Sequence, residues 1–372
     1  MKVKTFKLLI ALWLVVPVLS ACTVKSPVSI STSSSKNFSM FVTTDKGDNW
    51  QSAVNMPTVG GKIQTLPNFD VKKITLDPQD SLAVYLASIG NGLYYTYNAA
   101  RGWNQVPGLP KETVNDVQVD PKNKCLIYVA ILNRLYSSSD CARTWKEIYV
   151  DNNQGVQVTA ITIDHYNPHN LYIGTSRGDI IKSIDAGAYW RTIKRLDKGI
   201  AYLAMSPSDS RLLYLATVEN KIFSFTSNVN TNADNSADIE KNFAVDNWTD
   251  LNLVLKDFKL SNNFKDLIVS PSDDKIFLAT DKMILRSADK GITWENIKLI
   301  QPEKDAVINA LAVNPKNSQE IYYVTNTTFF RSEDGGVSWK TKDLSTERAG
   351  RDLVIDFNNP SVLYLGTFEI KK

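Results

Sequence analysis

One short pattern is written seven times into this chain, and near-identical repeated units have few ways to bury themselves. The pattern is an apolar alternating run, an Asp/Ser/Asn turn often carrying Pro, then a second apolar run centred on an aromatic. Copies begin at Ile74 (ITLDPQDSLAVYLAS), Val117, Ile161, Leu203, Leu267, Leu311 and Leu353. Their aromatics are Tyr85, Tyr128, Tyr172, Tyr214, Phe277, Tyr322 and Tyr364. Six stand eleven residues after the first residue of the pattern, and Phe277 stands ten after it. Alternation and β-branched residues on both sides of a turn make each copy a β-hairpin.

A second motif follows each hairpin. It is clearest at 287–294 (SADKGITW) and matches well at 332–339 (SEDGGVSW) and 183–190 (SIDAGAYW). Residues 43–50 (TTDKGDNW) and 138–145 (SSDCARTW) depart at one or two positions. In 96–103, Asn98 replaces the Asp and Ala100 the Gly, and around Trp248 little but the Trp remains. This motif resembles the Asp box, or BNR repeat, Ser-x-Asp-x-Gly-x-Thr-Trp. Its physics is structural. The carboxylates of Asp45, Asp140, Asp185, Asp289 and Asp334 accept backbone N–H bonds in a tight turn, and the Gly takes a positive φ without steric penalty. Trp50, Trp103, Trp145, Trp190, Trp248, Trp294 and Trp339 are expected to wedge between neighbouring sheets, each burying on the order of 150–250 Å². Seven near-equivalent copies describe a scaffold, not seven active sites.

Hairpin, third strand, box turn and fourth strand make a four-stranded unit, and 336 residues from 37 to 372 allow 48 per unit. An all-β, seven-bladed propeller of antiparallel blades over 38–372 is therefore predicted. The chain begins this region with a third strand and a box, and ends with the first two strands of a blade. The two ends complement each other, so the N-terminal strands should complete the C-terminal blade and remove free edges. A polar insertion at about 226–246 reads as a surface loop of the fourth blade.

Ahead of the repeats, Lys2, Lys4 and Lys7 precede an apolar run over 8–19, and Leu19-Ser20-Ala21-Cys22 resembles the bacterial lipobox. The resemblance implies a signal peptide over 1–21, cleavage before Cys22, and acylation of that cysteine. Residues 22–37 then form a Ser/Thr-rich tether. The expected location is the cell envelope, outside the cytoplasm, with the membrane reached through the lipid only. Thr23 in place of Asp leans toward an outer membrane if the host has one. The formal charge of +3 comes entirely from the three leading lysines, so the mature chain is balanced and nucleic acid is not an expected partner. Cys125 begins the second strand of its blade and Cys141 sits in the box turn on the same face. A disulfide or two independent turn thiols both fit.

Catalytic chemistry is sparse. His165 and His169 share one Pro-containing turn, which favours a solvated turn over a metal pair. Gly174-Thr175-Ser176-Arg177-Gly178 fits G-x-S-x-G, but a strand follows where a nucleophile elbow needs a helix. There is no Walker A segment and no zinc spacing, so neither metal nor cofactor is expected. Sialidases share the box but have six blades and an Arg-Ile-Pro segment that is missing here. Xyloglucanase-like glycosidases set paired carboxylates between two propellers, whereas this chain has residues for one, and Asp273-Asp274 falls in a hairpin turn. In blade count, size and box pattern the chain is similar to the photosystem II assembly factor family and its non-photosynthetic bacterial relatives, and more distantly to sortilin-type propellers. That similarity implies a non-enzymatic, monomeric scaffold gripping a protein or peptide on one face. A glycan-binding propeller or divergent glycoside hydrolase is the alternative. Loops joining second to third strands put Asn133, Arg134, Arg177, Glu219, Lys221, Lys282 and Asn326 on the face around the channel mouth. Blade starts add Asp116, Lys198, Asn309, Arg351 and Asp352.

Overall fold

Each hairpin is apolar on both faces, so each sheet needs a neighbour on either side, and a ring supplies one to every sheet. The computed structural model describes residues 37–57, 64–227, 247–261, 263–300, 307–344 and 346–370. The signal segment 1–21, Cys22, nearly all of the tether and most of the 226–246 insertion lie outside the described residues.

Seven four-stranded antiparallel sheets form. Blade one pairs Val71–Asp77, Asp80–Ser88, Leu93–Thr96 and Asn104–Gln105 in that order. The inner strands of blades two to six are Val114–Asp120, Val158–Ile163, Ile200–Met205, Phe264–Val269 and Ala310–Val313. Blade seven joins the two ends of the chain. Ala349–Ile355 and Leu363–Phe368 supply its inner half, and Met40–Thr43 and Gln51–Ser52 its outer half. Met40 stands opposite Gly366 and Thr43 opposite Leu363, and Thr367 Oγ1 donates to the Phe38 carbonyl at 2.7 Å. Closure is as the complementary ends require.

Seven apolar clusters hold the ring, one per seam. The first joins Met40 and Tyr364 of blade seven to Ile74, Leu86 and Trp103 of blade one. All seven hairpin aromatics are buried. Each box tryptophan packs in the seam with the preceding blade, as Trp50 does edge-on against Phe329 at 5.3 Å. Only Trp103 is fully buried; the other six stay half-exposed, because the box sits on the outer half of the blade where solvent reaches one side of the indole. Trp103 Nε1 also donates to the Ala53 carbonyl at 2.7 Å. Truncating it would cost about 3–5 kcal/mol.

The boxes are built as their residue types demand. Asp289 accepts the Thr293 N–H at 2.8 Å, the Thr293 hydroxyl at 2.6 Å and the Ser287 hydroxyl at 2.9 Å. Hydroxyl and amide donors hold the Asp45 and Asp334 carboxyls down at about 2. Two consecutive residues of each of the six described box turns have positive φ, such as Lys290 and Gly291. A Cβ on Gly336 would stand 2.2 Å from Ile297 Cγ2 of the preceding blade. The glycine therefore serves both the turn and the seam. In the second box that position is Ala142, and beside it Cys141 is disulfide-bonded to Cys125.

Two elements exceed four strands per blade. Asn55–Met56 pairs with Gln64–Thr65 as a short ribbon between blades seven and one, and a one-turn helix, Asn252–Leu255, follows blade four.

Candidate functional site

The inner strands of all seven blades surround a cavity of about 620 Å³ on the ring axis. Strict alternation would turn every second side chain away from it. Instead, six of the seven inner strands carry a register shift at the same place, two residues before the buried residue that opens the apolar run. In blade one Val71 pairs with Ser88 and Lys73 with Ala87, leaving Lys72 as the extra residue. Asn115, Thr159, Ala201, Lys265 and Arg351 are the extra residues of their blades. A bulge breaks the alternation and re-aims side chains. Consecutive residues such as Lys72 and Lys73, or Arg351 and Asp352, then both line the cavity.

Its charged lining is four cations, Lys72, Lys73, Lys265 and Arg351, and three carboxylates, Asp116, Asp266 and Asp352. The carboxylates are bound into the ring. Asp116 of blade two accepts the Ile161 N–H of blade three at 2.8 Å and Lys73 Nζ of blade one at 2.7 Å. Asp352 of blade seven accepts the Ile74 N–H of blade one at 2.5 Å. Asp266 of blade five accepts the Leu267 N–H at 2.8 Å and is bonded by the Leu311 N–H of blade six. Each is a staple between inner strands. Lys73 burial lowers its affinity for a proton, but Asp116 outweighs that and raises it. Among the described residues, Lys72, Lys265 and Arg351 make no ion pair. Burial, reinforced by the charge of Arg351, lowers the pKa of Lys72, and burial does the same for Lys265. Burial raises Asp352, and burial together with the charge of Asp352 pushes Asp266 up to about 7. By formal count the lining holds four cations against three carboxylates.

The loop residues fall elsewhere. Asn133 is buried and donates to the Asp151 carbonyl at 2.8 Å. Arg134 pairs with Glu147. Arg177 is clamped between Asp151 at 2.9 Å and Asp179 at 2.6 Å, and Arg195 also bonds Asp179. Glu219 pairs with Lys198 at 2.8 Å, and Lys221 with Asp197 at 3.3 Å. Lys282 lies in a turn with its N–H on Thr280 Oγ1, and Asn326 accepts from Asn309 at 2.9 Å. Of the loop and blade-start candidates, Arg351, Asp116, Asn309 and Asp352 come together at the cavity. Sequence reasoning passed over Lys72, Lys73, Lys265 and Asp266. Their signal was a polar pair directly ahead of the apolar run: Lys72-Lys73, Asn115-Asp116, Lys265-Asp266 and Arg351-Asp352. The paired acids of the fifth hairpin turn are occupied with neighbouring blades, Asp273 by the Ser318 hydroxyl at 2.6 Å and Asp274 by Ser206 and Ser208. Among the described residues no group of three or more His, Cys, Asp or Glu could hold a metal ion.

No family model matches the chain. The xyloglucanase Xgh74A of Acetivibrio thermocellus is 22% identical, over 77% of this chain and 36% of its own length. A crystal structure of the GH74 xyloglucanase from Xanthomonas campestris superposes with a TM-score of 0.60 at 14% identity, covering 81% of this chain and 51% of that one. YCF48 bound to D1 peptide superposes with a TM-score of 0.60 at 13% identity, covering 86% of this chain and all of that one. The chain thus spans about a third to a half of the xyloglucanases and the full length of YCF48. Its fold is that of a seven-bladed propeller resembling both.

Proposed function

We propose that the chain is a non-enzymatic, lipid-anchored scaffold of the bacterial cell envelope that grips a protein or peptide at its central channel. The observation that carries this reading is the division of labour in the cavity wall. Its carboxylates accept backbone N–H groups, those of Asp116 and Asp352 from adjacent blades, and three of its six bulge positions present cations that make no ion pair among the described residues. A glycosidase needs two carboxyl groups facing a sugar, whereas these acids face the next blade. YCF48, whose whole length the chain covers, has a solved structure bound to D1 peptide. The lipobox-like segment ending at Cys22 supports the anchor. The likeness to xyloglucanases supports a carbohydrate ligand as the second reading, and the Tyr202 and Phe264 rings beside the cavity would suit one.

Ala201 lines the cavity at a bulge, so Ala201→Trp fills space there without changing charge. Cross-linking in the host envelope followed by capture should recover a partner with the wild-type chain and lose it with Ala201→Trp, the fold being checked by circular dichroism. Equal recovery by the two would put binding elsewhere. Release of reducing sugar from xyloglucan, lost on replacing Asp266 or Asp352, would make the protein an enzyme.

A further inference from the structure

We propose that Lys72, Lys265 and Arg351 form a receptor for one carboxylate of a peptide that enters the channel. The inference rests on the scaffold reading above and narrows it to a ligand class and to three residues.

Three observations lead there. The first is position. The three cations come from blades one, five and seven and occupy the same bulge register in each. In the other blades that register holds Asn115, Thr159, Ala201 and Asn309, none of them acidic. The cations therefore converge on one cavity with no acid at their own level.

The second is the charge that remains. Lys73 is neutralised by Asp116 at 2.7 Å. Setting that pair aside leaves Lys72, Lys265 and Arg351 against Asp266 and Asp352. The excess is a single positive charge with both acids ionised, and larger when Asp266 holds a proton. A monoanionic carboxylate balances it. A phosphate dianion would bring surplus negative charge close to two stapled carboxylates. Inside a cavity the attraction is stronger than at an open surface, because less water screens it. Charge-assisted bonds from ammonium and guanidinium donors suit a carboxylate in geometry as well.

The third is the apolar surface beside the cations. Val218 is 51% exposed at the cavity wall. Phe368 lies against the Arg351 guanidinium, 5.5 Å from ring centroid to Cζ, and Tyr202 and Phe264 pack 6.2 Å apart. Peptide side chains flanking an acidic group find apolar contact there. A hydroxyl-rich acidic sugar would leave the exposed aliphatic Val218 without a matching surface, so the peptide is favoured.

The test titrates fluorescent octapeptides into the full chain, with Leu/Val-rich sequences carrying a central Glu or Gln and a free or amidated C-terminus. A galacturonate trimer serves as the sugar probe. A free carboxylate of either kind should bind, and the amidated Gln peptide should be at least about ten-fold weaker. Lys265→Met and Arg351→Met should each erase that preference, and Asn309→Ala should keep it. Equal affinity for amidated Glu and Gln peptides and for free and amidated termini would overturn the receptor, as would preference surviving Lys72→Met, Lys265→Met and Arg351→Met combined. Binding of the trimer but of no peptide would also overturn it. The scaffold reading fails separately, through partner capture that ignores Ala201→Trp. Capture that is lost in Ala201→Trp but unaffected by the triple variant would leave the scaffold standing and reject the receptor.

Discussion

Replacing Asp116 separates what holds the ring from what the channel offers a ligand. The carboxylate accepts the Val117 and Ile161 N–H groups, both at 2.8 Å, and Lys73 Nζ at 2.7 Å, so one buried side chain links three blades. Asp116→Ala leaves the buried Val117 and Ile161 amides without this acceptor, which costs about 1–3 kcal/mol each. It also unpairs Lys73, and breaking a buried ion pair from one side typically costs about 3–5 kcal/mol. Lys73 keeps a quarter of its side chain exposed and can turn toward channel water, so the lower half of the combined range applies, about 5–8 kcal/mol. Asp116→Asn keeps one oxygen for the Ile161 N–H but turns an NH2 donor toward the Val117 N–H and Lys73, so it loses the charge and one acceptor, about 3–5 kcal/mol. In a ring of this size each kcal/mol moves the unfolding midpoint by roughly 1–3 °C. Thermal and urea unfolding should rank wild type above Asp116→Asn above Asp116→Ala. Binding should move the other way. Well below the midpoint both variants free Lys73 as a fourth unpaired cation, and the acidic peptide should bind several-fold more tightly. Equal midpoints for the two variants would refute the staple. Weaker peptide binding in parallel with stability would refute the electrostatic account of the channel.

Asp266 gives the channel a pH dependence. It faces the charges of Asp352 and Lys73, the Tyr202 ring, and the Leu267 and Leu311 N–H groups. Its folded-state pKa is raised to about 7 from the ordinary 3.8 of an aspartate, so the native protein holds this proton more tightly than the unfolded chain does. The contribution to stability is full below about pH 4 and is lost as pH rises through 7. Asp266→Asn should therefore raise the stability at pH 8 by an amount on the order of 1–4 kcal/mol, and the unfolding midpoint with it, and have little effect at pH 4. A midpoint gain at pH 4 equal to that at pH 8 would rule the proton out. At the box turns, Gly336→Ala must relieve a 2.2 Å approach to Ile297 at φ +92° and should cost about 2–4 kcal/mol. Ala142→Gly, where the seam already accommodates a Cβ, should change stability by less than about 1 kcal/mol in thermal unfolding.

What repeats was legible in the sequence, and what differs between repeats was not. The hairpins, the boxes and the closure at Met40 and Gly366 follow from a pattern held in register over seven copies, since each copy buries the same positions against the same neighbours. The loop cations Arg134 and Arg177 looked free because Glu147 lies thirteen residues away and is brought near by strand pairing, and Asp151 lies twenty-six away and is brought near by the packing of blade two against blade three. The channel was hidden for a different reason. Alternation assigns Lys72 and Lys73 to opposite faces, and a bulge sends both inward. No single copy announces that bulge. Aligning the seven copies column by column does point to it. The column of the first apolar residue holds only Ile, Val and Leu. The two columns before it hold Lys, Asn, Thr, Ala, Arg, Asp and Tyr. A ring of equivalent blades has no structural need for such variety at one level. Differences confined to the columns that face the axis are what remains once the scaffold has fixed everything else, and they are where a ligand would be read.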